Sequence, residues 1–424
     1  MIRYEDYAKF FSPVLSKSSD VVAVEGKGCY IKDVKGDVYL DFVQGIAVNA
    51  LGHCFPPIVE AICRQARKLV NASFNMVSYE STLRLAERLA AAAPGNLGSI
   101  LFSNGGAEAT DGALKLAKVY TKRPAIIAFM GSFHGRTIGA ASITASSAKY
   151  RKYAEPLMGS VYFSPYPSRD LCPKGLDAQA RGQYCLDELN RLLKYVVAPE
   201  MVAAIYMEPV QGEGGYVVPP ENFVKGVRKL CDEHHILLIM DEIQAGYGRT
   251  GKMWAGQNFN VTPDIMTVGK AIAGGLPMSA VISTPEIMSE WKPGMHGTTF
   301  GGNPVAAAAA NAVLDQFEDG TLLENVNTMG EYLRSELKKL QADYPIIYDV
   351  RGLGLMTAIE FSYADGSPAP EVWEKVRKRC LELKLLTLSC GVNNNGMRFA
   401  TPLNVKKEEI DQGLSILRQA LSEL

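Results

Sequence analysis

Short apolar runs punctuate the middle of the chain at Ser99–Phe102, Ala125–Met130, Val202–Met207, Ile236–Met240, Ile265–Val268 and Ser279–Ser283. Most are separated by stretches with helical spacing, such as Glu108–Tyr120 and Asn222–His234. A run that is apolar throughout predicts a strand buried on both faces. Such strands alternating with helices predict a mostly parallel sheet between helix layers. The two ends of the chain read differently. Gly28–Phe42 alternates apolar and polar residues around Lys35, Gly36 and Asp37, which predicts a hairpin. Pro56–Leu69 opens with two prolines and continues with helical spacing. Beyond residue 330, Glu331–Leu340, Pro370–Leu383 and Lys407–Ser422 read as helices and Gly354–Phe361 as a strand. The expectation is an α/β chain in three parts. An N-terminal segment, 1–60, joins the small domain; 61–315 forms a large α/β domain; 316–424 forms a smaller α+β domain.

Composition narrows the function classes. The 424 residues are 47% hydrophobic, carry a formal net charge of −1 and spread their Lys and Arg along the chain. No global field or basic stripe favours nucleic acid or an acidic membrane. No apolar stretch is long enough to span a bilayer, and the N-terminus lacks a secretory apolar region. The eight cysteines form no C-x-x-C pair, so free thiols in a cytoplasmic protein are expected, with a Cys172–Cys185 pairing as the weaker alternative. The histidines show no metal-ligand spacing, and no metal is expected.

The chemistry sits where the strands end. Phe102 runs into Ser103–Gly106, Met130 into Gly131–Arg136, Met207 into Glu208, Met240 into Asp241, and Val268 into Gly269 and Lys270. Ligands of open α/β sheets lie beyond the carboxyl ends of the strands, so these residues are expected to share a cleft. Lys270, bracketed by small residues, reads as a desolvated amine able to condense with an aldehyde; alone, it would read as an ordinary surface lysine at a strand end. Asp241 ends an apolar strand and needs a partner, either a protonated pyridine nitrogen, a helix start or a metal. The glycines of Ser103–Glu108 suit a phosphate at a helix start. Phe133 can stack on a planar cofactor and Arg136 can grip a carboxylate. The chain has no P-loop motif and no dinucleotide fingerprint.

With these motifs in place, the chain resembles the class III aminotransferases, among the fold type I pyridoxal-phosphate (PLP) transferases. The resemblance runs from Tyr39–Val48 to Arg398, strongest over Leu238–Gly251 and Pro263–Lys270. It implies that PLP is the cofactor and that Lys270 is the Schiff-base lysine and proton shuttle. Asp241 would pair with the pyridine nitrogen and Gln244 would contact the ring hydroxyl. Gly106 and Ala107 would bind phosphate through backbone N–H groups, and Phe133 would stack on the ring. His134, Glu208 and Ile243 complete the implied cofactor set. Thr299 matches a threonine that reaches the neighbouring subunit's cofactor, which implies a homodimer, or a dimer of dimers, with shared active sites.

For substrates, the resemblance implies a small-molecule amino donor and a keto-acid acceptor. Family members that use 4-aminobutyrate carry an Ile and an Arg where this chain has Ile46 and Arg136. They also carry the pair that Glu213 and Arg398 would form. Arg136 would bind the distal carboxylate of an ω-amino acid. Arg398, released from Glu213, would bind the α-carboxylate of 2-oxoglutarate or glutamate. Two departures stand out: Asn75 replaces a frequent Gln, and Ser164–Tyr184 is longer than in many members and could reshape the entrance. Ornithine or acetylornithine as donor, and amino-acid racemisation or epimerisation, remain as alternatives.

Overall fold

The computed structural model describes residues 2–15 and 17–424. Its centre is a seven-stranded sheet. Across the sheet the strands run Ser99–Ser103, Ser279–Ser283, Ile265–Val268, Leu237–Asp241, Val202–Met207, Ala125–Phe129 and Val161–Ser164. The last five pair in parallel. Ser279–Ser283, expected among parallel strands, is antiparallel to both neighbours. The reason is length. Only about ten residues separate Val268 from Ser279, too few for the crossover that parallel pairing requires.

Every residue of Ala125–Phe129, Val202–Met207 and Leu237–Asp241 is buried. Alternation sorts their side chains between two layers. Ile127, Phe129, Ile205, Met207, Leu238 and Met240 pack with Leu189 and Leu193 of helix Ala178–Tyr195 and with Phe223, Val224 and Val227 of helix Glu221–His234. Ile126, Ala128, Ala204, Tyr206 and Ile239 face Ala109, Ala113, Leu116 and Ala117 of helix Gly106–Thr121. Full burial of such aliphatic and aromatic side chains stabilises by roughly 1.5–3 kcal/mol each. This double burial makes the strand ends a stiff platform.

The two ends of the chain meet. Strands Ala23–Lys27, Tyr30–Asp33 and Val38–Asp41 form an antiparallel sheet that Leu385–Leu386 extends in parallel. A second small sheet joins Ile347–Leu353, Met356–Phe361, Gly396–Phe399 and Leu388–Cys390, all antiparallel. Leu40 and Phe42 share one apolar core with Trp373, Phe399 and Leu417. Within Ser164–Tyr184, expected to reshape the entrance, residues 178–184 are the start of the helix Ala178–Tyr195. Asp177 caps it by accepting from the Ala180 N–H at 2.8 Å. Cys172 and Cys185 lie with their sulfurs 3.6 Å apart, both as free thiols. No described helix is long and apolar enough to cross a membrane.

Candidate active site

Asp241 and His134 form the floor. Asp241 closes its strand, and His134 Nδ1 lies 2.7 Å from Asp241 Oδ2 with both side chains buried. Asp241 Oδ1 accepts the Ile243 N–H at 3.1 Å. The imidazole is itself clamped. The Tyr206 ring meets it edge-on with centroids 4.6 Å apart, and the backbone N–H of His134 donates to Thr144 Oγ1 at 3.0 Å, which fixes where the side chain starts. Tyr206 in turn bonds Thr110 and Thr267 at 3.2 and 3.1 Å. His134 Nε2 is buried without a partner among the described residues. The result is a carboxylate fixed in direction beneath the cleft, which suits the cationic ring end of a pyridine cofactor.

Lys270 follows the strand Ile265–Val268 and starts a short turn, with its own φ at +41°. Desolvation, reinforced by the Arg398 charge, lowers its pKa to about 8. The amine is thus available in its neutral form near physiological pH, as condensation with an aldehyde requires. Ile243 spans the distance from this turn to the helix start. A Cβ on Gly106 would lie 3.1 Å from Ile243 Cδ1, and one on Gly269 would lie 3.3 Å from Ile243 Cγ2. Glycine at 106 lets the backbone come that close. As helix geometry dictates, the Gly106 and Ala107 N–H groups have no backbone acceptor among the described residues. They present an anion site at the N-terminus of a sixteen-residue helix. Asn104 braces this loop. Its amide donates to Glu108 Oε2 at 2.9 Å and to Thr298 Oγ1 at 3.1 Å. Thr299, next in sequence, is exposed.

Glu208 carries the aromatic wall. Its two oxygens accept the Phe133 N–H at 3.0 Å and the Gly212 N–H at 2.8 Å. Burial raises its pKa to about 7, against the opposing pull of His134 and with a further push from Asp241. Phe133 is held from beneath, with its ring edge-on to Tyr150 at 5.3 Å. The Arg136 guanidinium lies over both rings, 5.0 Å from Phe133 and 4.8 Å from Tyr150.

The expected ion pair between Glu213 and Arg398 does not form in this structure. Glu213 instead accepts the Tyr150 hydroxyl. Arg398 donates to the Gln244 amide oxygen at 3.3 Å and sits 5.9 Å from the centre of the Tyr216 ring. The Tyr216 hydroxyl donates to the same Gln244 oxygen at 3.1 Å. Two donors converge on that oxygen, so only the amide nitrogen of Gln244, packed beside Gly212, faces other duties.

Ile46 reaches the site through strained backbone. Gln44, Gly45, Ile46 and Ala47 all have positive φ, at 49°, 63°, 68° and 60°. Non-glycine residues in that region cost about 1–2 kcal/mol each. Asp41 holds the turn by accepting the Val43 and Gln44 N–H groups at 2.8 and 3.0 Å, while His53 pins its other oxygen at 2.8 Å. The turn packs against the segment that starts at Lys270 and leaves Ile46 45% exposed.

Tyr150, Tyr206 and Tyr216 are site residues that the sequence reading missed. Tyr206 is an interior strand position, and its alternation towards helix Gly106–Thr121 was the available signal. Tyr150 and Tyr216 lie in segments without a periodic pattern, and only the fold brings them in. Among the described residues no cluster suits a metal ion.

The arrangement therefore offers an aldehyde-reactive amine, an oriented carboxylate, an anion-binding helix start and an aromatic wall in one cleft. This is the donor set that PLP needs. Comparison with known proteins agrees. The family model for class III aminotransferases matches residues 12–421. A 4-aminobutyrate aminotransferase of Escherichia coli is 38% identical, the match covering 95% of this chain and 94% of that protein. An alanine/serine racemase of Pyrococcus horikoshii is 37% identical, covering 95% and 86%. The crystal structure of an amine transaminase from an uncultivated Pseudomonas species, in its PLP-bound form, superposes with a TM-score of 0.91. It is 29% identical, and the match covers 98% of both chains. A cleft with the donor set for PLP, on a chain matched over residues 12–421, leads to one assignment: the protein belongs to the class III aminotransferases, which are PLP-dependent enzymes.

Proposed function

We propose that the enzyme moves an amino group from an ω-amino acid, 4-aminobutyrate foremost, to 2-oxoglutarate by a ping-pong mechanism. The observation that supports this reading is a pair of guanidiniums in unlike settings. Arg136 is exposed at the mouth on two aromatic faces, and Arg398 is buried against a neutral amide. An ω-amino acid places its carboxylate far from the reacting amine, and Arg136 suits it. A 2-oxo acid places a carboxylate beside the reacting carbon, and Arg398 suits that one. PLP, when bound, supplies the electron sink that lets the amine-bearing carbon lose a proton. Lys270 Nζ is the base in reach, and a pKa of about 8 lets it accept and return that proton near neutral pH. Asp241, oriented by His134 and the Ile243 N–H, holds the ring end. Gly106 and Ala107 N–H groups hold the phosphate. Ile46 borders the substrate, and its strained turn fixes where.

Exposed Thr299 and Phe300 support a homodimer, or a dimer of dimers, in which this segment completes a neighbour's phosphate site. Eight free thiols support a cytoplasmic setting. The racemase relative and the unpaired Arg398, ready for any α-carboxylate, favour amino-acid racemisation as the second reading.

One screen decides. Purified enzyme is offered 4-aminobutyrate, ornithine, acetylornithine and neutral α-amino acids, each with 2-oxoglutarate or pyruvate. Glutamate formed from 4-aminobutyrate and 2-oxoglutarate supports the proposal. Loss of optical rotation of an α-amino acid without any keto acid, and no glutamate, refutes it in favour of racemisation. Transfer from ornithine or acetylornithine alone corrects the donor.

A further inference from the structure

We propose that Cys172 and Cys185 form a modification site, at which a small disulfide such as oxidised glutathione turns two thiols into an intrachain disulfide that staples residues 165–177 to the helix Ala178–Tyr195. The two sulfurs touch at 3.6 Å with no bond between them. A disulfide is about 2 Å long, so one sulfur must advance by roughly 1.5 Å. Cys185 is fixed on the helix, whereas Cys172 belongs to residues 165–177, which form neither helix nor strand. What holds the Cys172 thiol is a weak donation to the Tyr166 carbonyl at 3.8 Å. Cys172 is therefore the sulfur that can move.

The two thiols are unequal, which sets the order of events. Cys172 is 8% exposed and is followed by exposed Pro173, Lys174 and Gly175, whereas Cys185 is 0% exposed. Hydrogen bonding from the Cys185 thiol, helped by the Arg181 charge, lowers the Cys172 pKa, and the same contact with burial raises that of Cys185. Burial pushes Cys29, Cys231, Cys380 and Cys390 up as well. Arg181 stands one helical turn before Cys185. It donates to the Leu176 carbonyl at 2.8 Å, yet its buried Nε has no partner among the described residues. A cation with a spare donor suits a thiolate. Cys172, as thiolate, attacks one sulfur of the small disulfide. Its new bond forms, the old sulfur–sulfur bond breaks, and one small thiolate leaves and takes up a proton. Cys185 then gives up its proton and attacks the Cys172 sulfur, and the second small thiolate leaves with that proton. Two cysteine thiols are oxidised and one small disulfide is reduced to two small thiols. In a reducing compartment the thiols prevail, and the bond forms as the share of small disulfide rises.

The stapled segment reaches the cleft. The Tyr166 hydroxyl meets the Glu208 and Pro209 carbonyls at 3.2 and 3.3 Å, and Arg169 lies over the Tyr348 ring at 4.6 Å. The segment thus joins the backbone of the residue that carries the aromatic wall to the small sheet that begins at Ile347.

The test equilibrates PLP-loaded enzyme with oxidised glutathione, blocks free thiols by alkylation and maps tryptic peptides. Peptides 170–174 and 182–191 should appear linked, two hydrogens lighter than their sum, in most molecules. Brief trypsin treatment of the native oxidised enzyme should nick it after exposed Lys174 at least about threefold more slowly than the reduced enzyme, because cleavage needs the segment to open. Cys185→Ser should trap glutathione on Cys172, since nothing displaces it, and Cys172→Ser should leave Cys185 reduced. No linked peptide overturns the proposal, as does glutathione that stays on Cys172 of the wild type. Glutathione on Cys185 in Cys172→Ser overturns the order of attack. A link that leaves nicking unchanged overturns the staple.

Discussion

The floor of the cleft and its mouth are built on different principles. On the floor, Asp241, His134 and Lys270 stand at or just beyond the ends of buried strands. The carboxylate has both oxygens engaged, the imidazole packs edge-on to Tyr206, and the His134 backbone N–H is held by Thr144. At the mouth, Arg136, Tyr150 and Glu213 come from irregular segments, and Arg398 comes from an inner strand of a small sheet. Their contacts are few and open to substrate: Glu213 accepts the Tyr150 hydroxyl, Arg398 bonds a neutral amide, and Arg136 lies on two aromatic faces. A stiff floor suits a reaction that does not vary. A mouth with few and open contacts suits substrates that do, as relatives that carry the names of an aminotransferase and a racemase illustrate. Changes to the floor should therefore damage every substrate alike, and changes to the mouth should damage them selectively.

The harshest test of the floor is Lys270→Met. It removes both the aldehyde-reactive amine and the base, and turnover is expected to fall by at least about 10⁴-fold with every donor. Any donor that keeps more than about a hundredth of its rate would break the idea of a shared floor. The same variant reports the cost of burying the amine. A lysine whose folded pKa is about 8 instead of 10.5 binds fewer protons folded than unfolded between those values. It therefore destabilises the cofactor-free protein fully below about pH 8, and the penalty fades as pH rises towards 10.5. Cofactor-free Lys270→Met is expected to exceed wild type by about 1–3 kcal/mol at pH 7, allowing for cleft water. Urea melts at pH 7 and 10 should show that gap closing; a gap that widens with pH would contradict the desolvation account.

Asp241→Asn keeps the shape of the floor and removes its charge. The expected loss in kcat is roughly 10³-fold, equal across donors, because the cofactor ring loses its counter-ion. The amide can still accept the Ile243 N–H, so the melting temperature should barely move. Steady-state kinetics with three donors, beside a thermal melt, checks both halves. A loss confined to one donor would place Asp241 at the mouth.

How much of this was legible in the sequence follows the same division. The floor was legible because burial imposes a pattern: apolar runs named the strands, and the polar residue after each run named the site. That reasoning pointed to Asp241, Lys270 and the glycines of Ser103–Glu108, which the fold brings together, and the resemblance added Gln244. It did not find the clamp on His134, since Tyr206 looks like any core residue until the strand is given two faces. Nor did it see that Ser279–Ser283 runs antiparallel, which depended on a connection length. The mouth was legible only as a roster. Arg136, Glu213 and Arg398 were named, but their partners depend on how loops meet, and Tyr150 intervenes between two of them. Backbone strain at Ile46 was equally invisible, because three non-glycine residues at positive φ leave no trace in the pattern.

Arg136→Ala is the corresponding test of the mouth. Losing a charge-assisted contact should raise KM for 4-aminobutyrate and other ω-amino acids roughly 10–100-fold. Amines that lack a carboxylate should change by less than about threefold, whereas 2-oxoglutarate, whose distal carboxylate has the spacing of that in 4-aminobutyrate, should weaken alongside the ω-amino acids. An equal loss for donors with and without a carboxylate would make Arg136 a structural cation and erase the contrast between floor and mouth.

The smallest expected effect concerns Glu208, which lies between the two regions and is needed by both. Its carboxylate holds the Phe133 and Gly212 N–H groups, yet burial sets its pKa at about 7. A carboxyl with a raised folded pKa binds more protons folded than unfolded. Its contribution to stability is therefore full below about pH 4.5 and is lost as pH rises through about 7. Glu208→Gln removes that titration. It also turns one acceptor into a donor that faces an N–H group, at a cost comparable to the relief from burying a charge. The two effects oppose, so stability at pH 7 should change by less than about 1 kcal/mol. What changes is the slope: wild type should lose stability relative to the variant between about pH 4.5 and 7. Glu242, buried with a pKa of about 7 but bonded to the Ala255 and Gly256 N–H groups away from Phe133, supplies the control. Glu242→Gln should flatten the same slope and leave kcat alone, whereas Glu208→Gln should flatten it and also loosen Phe133, lowering kcat a few-fold. If both variants alter kcat equally, the wall is not held through Glu208, and the boundary between floor and mouth lies elsewhere.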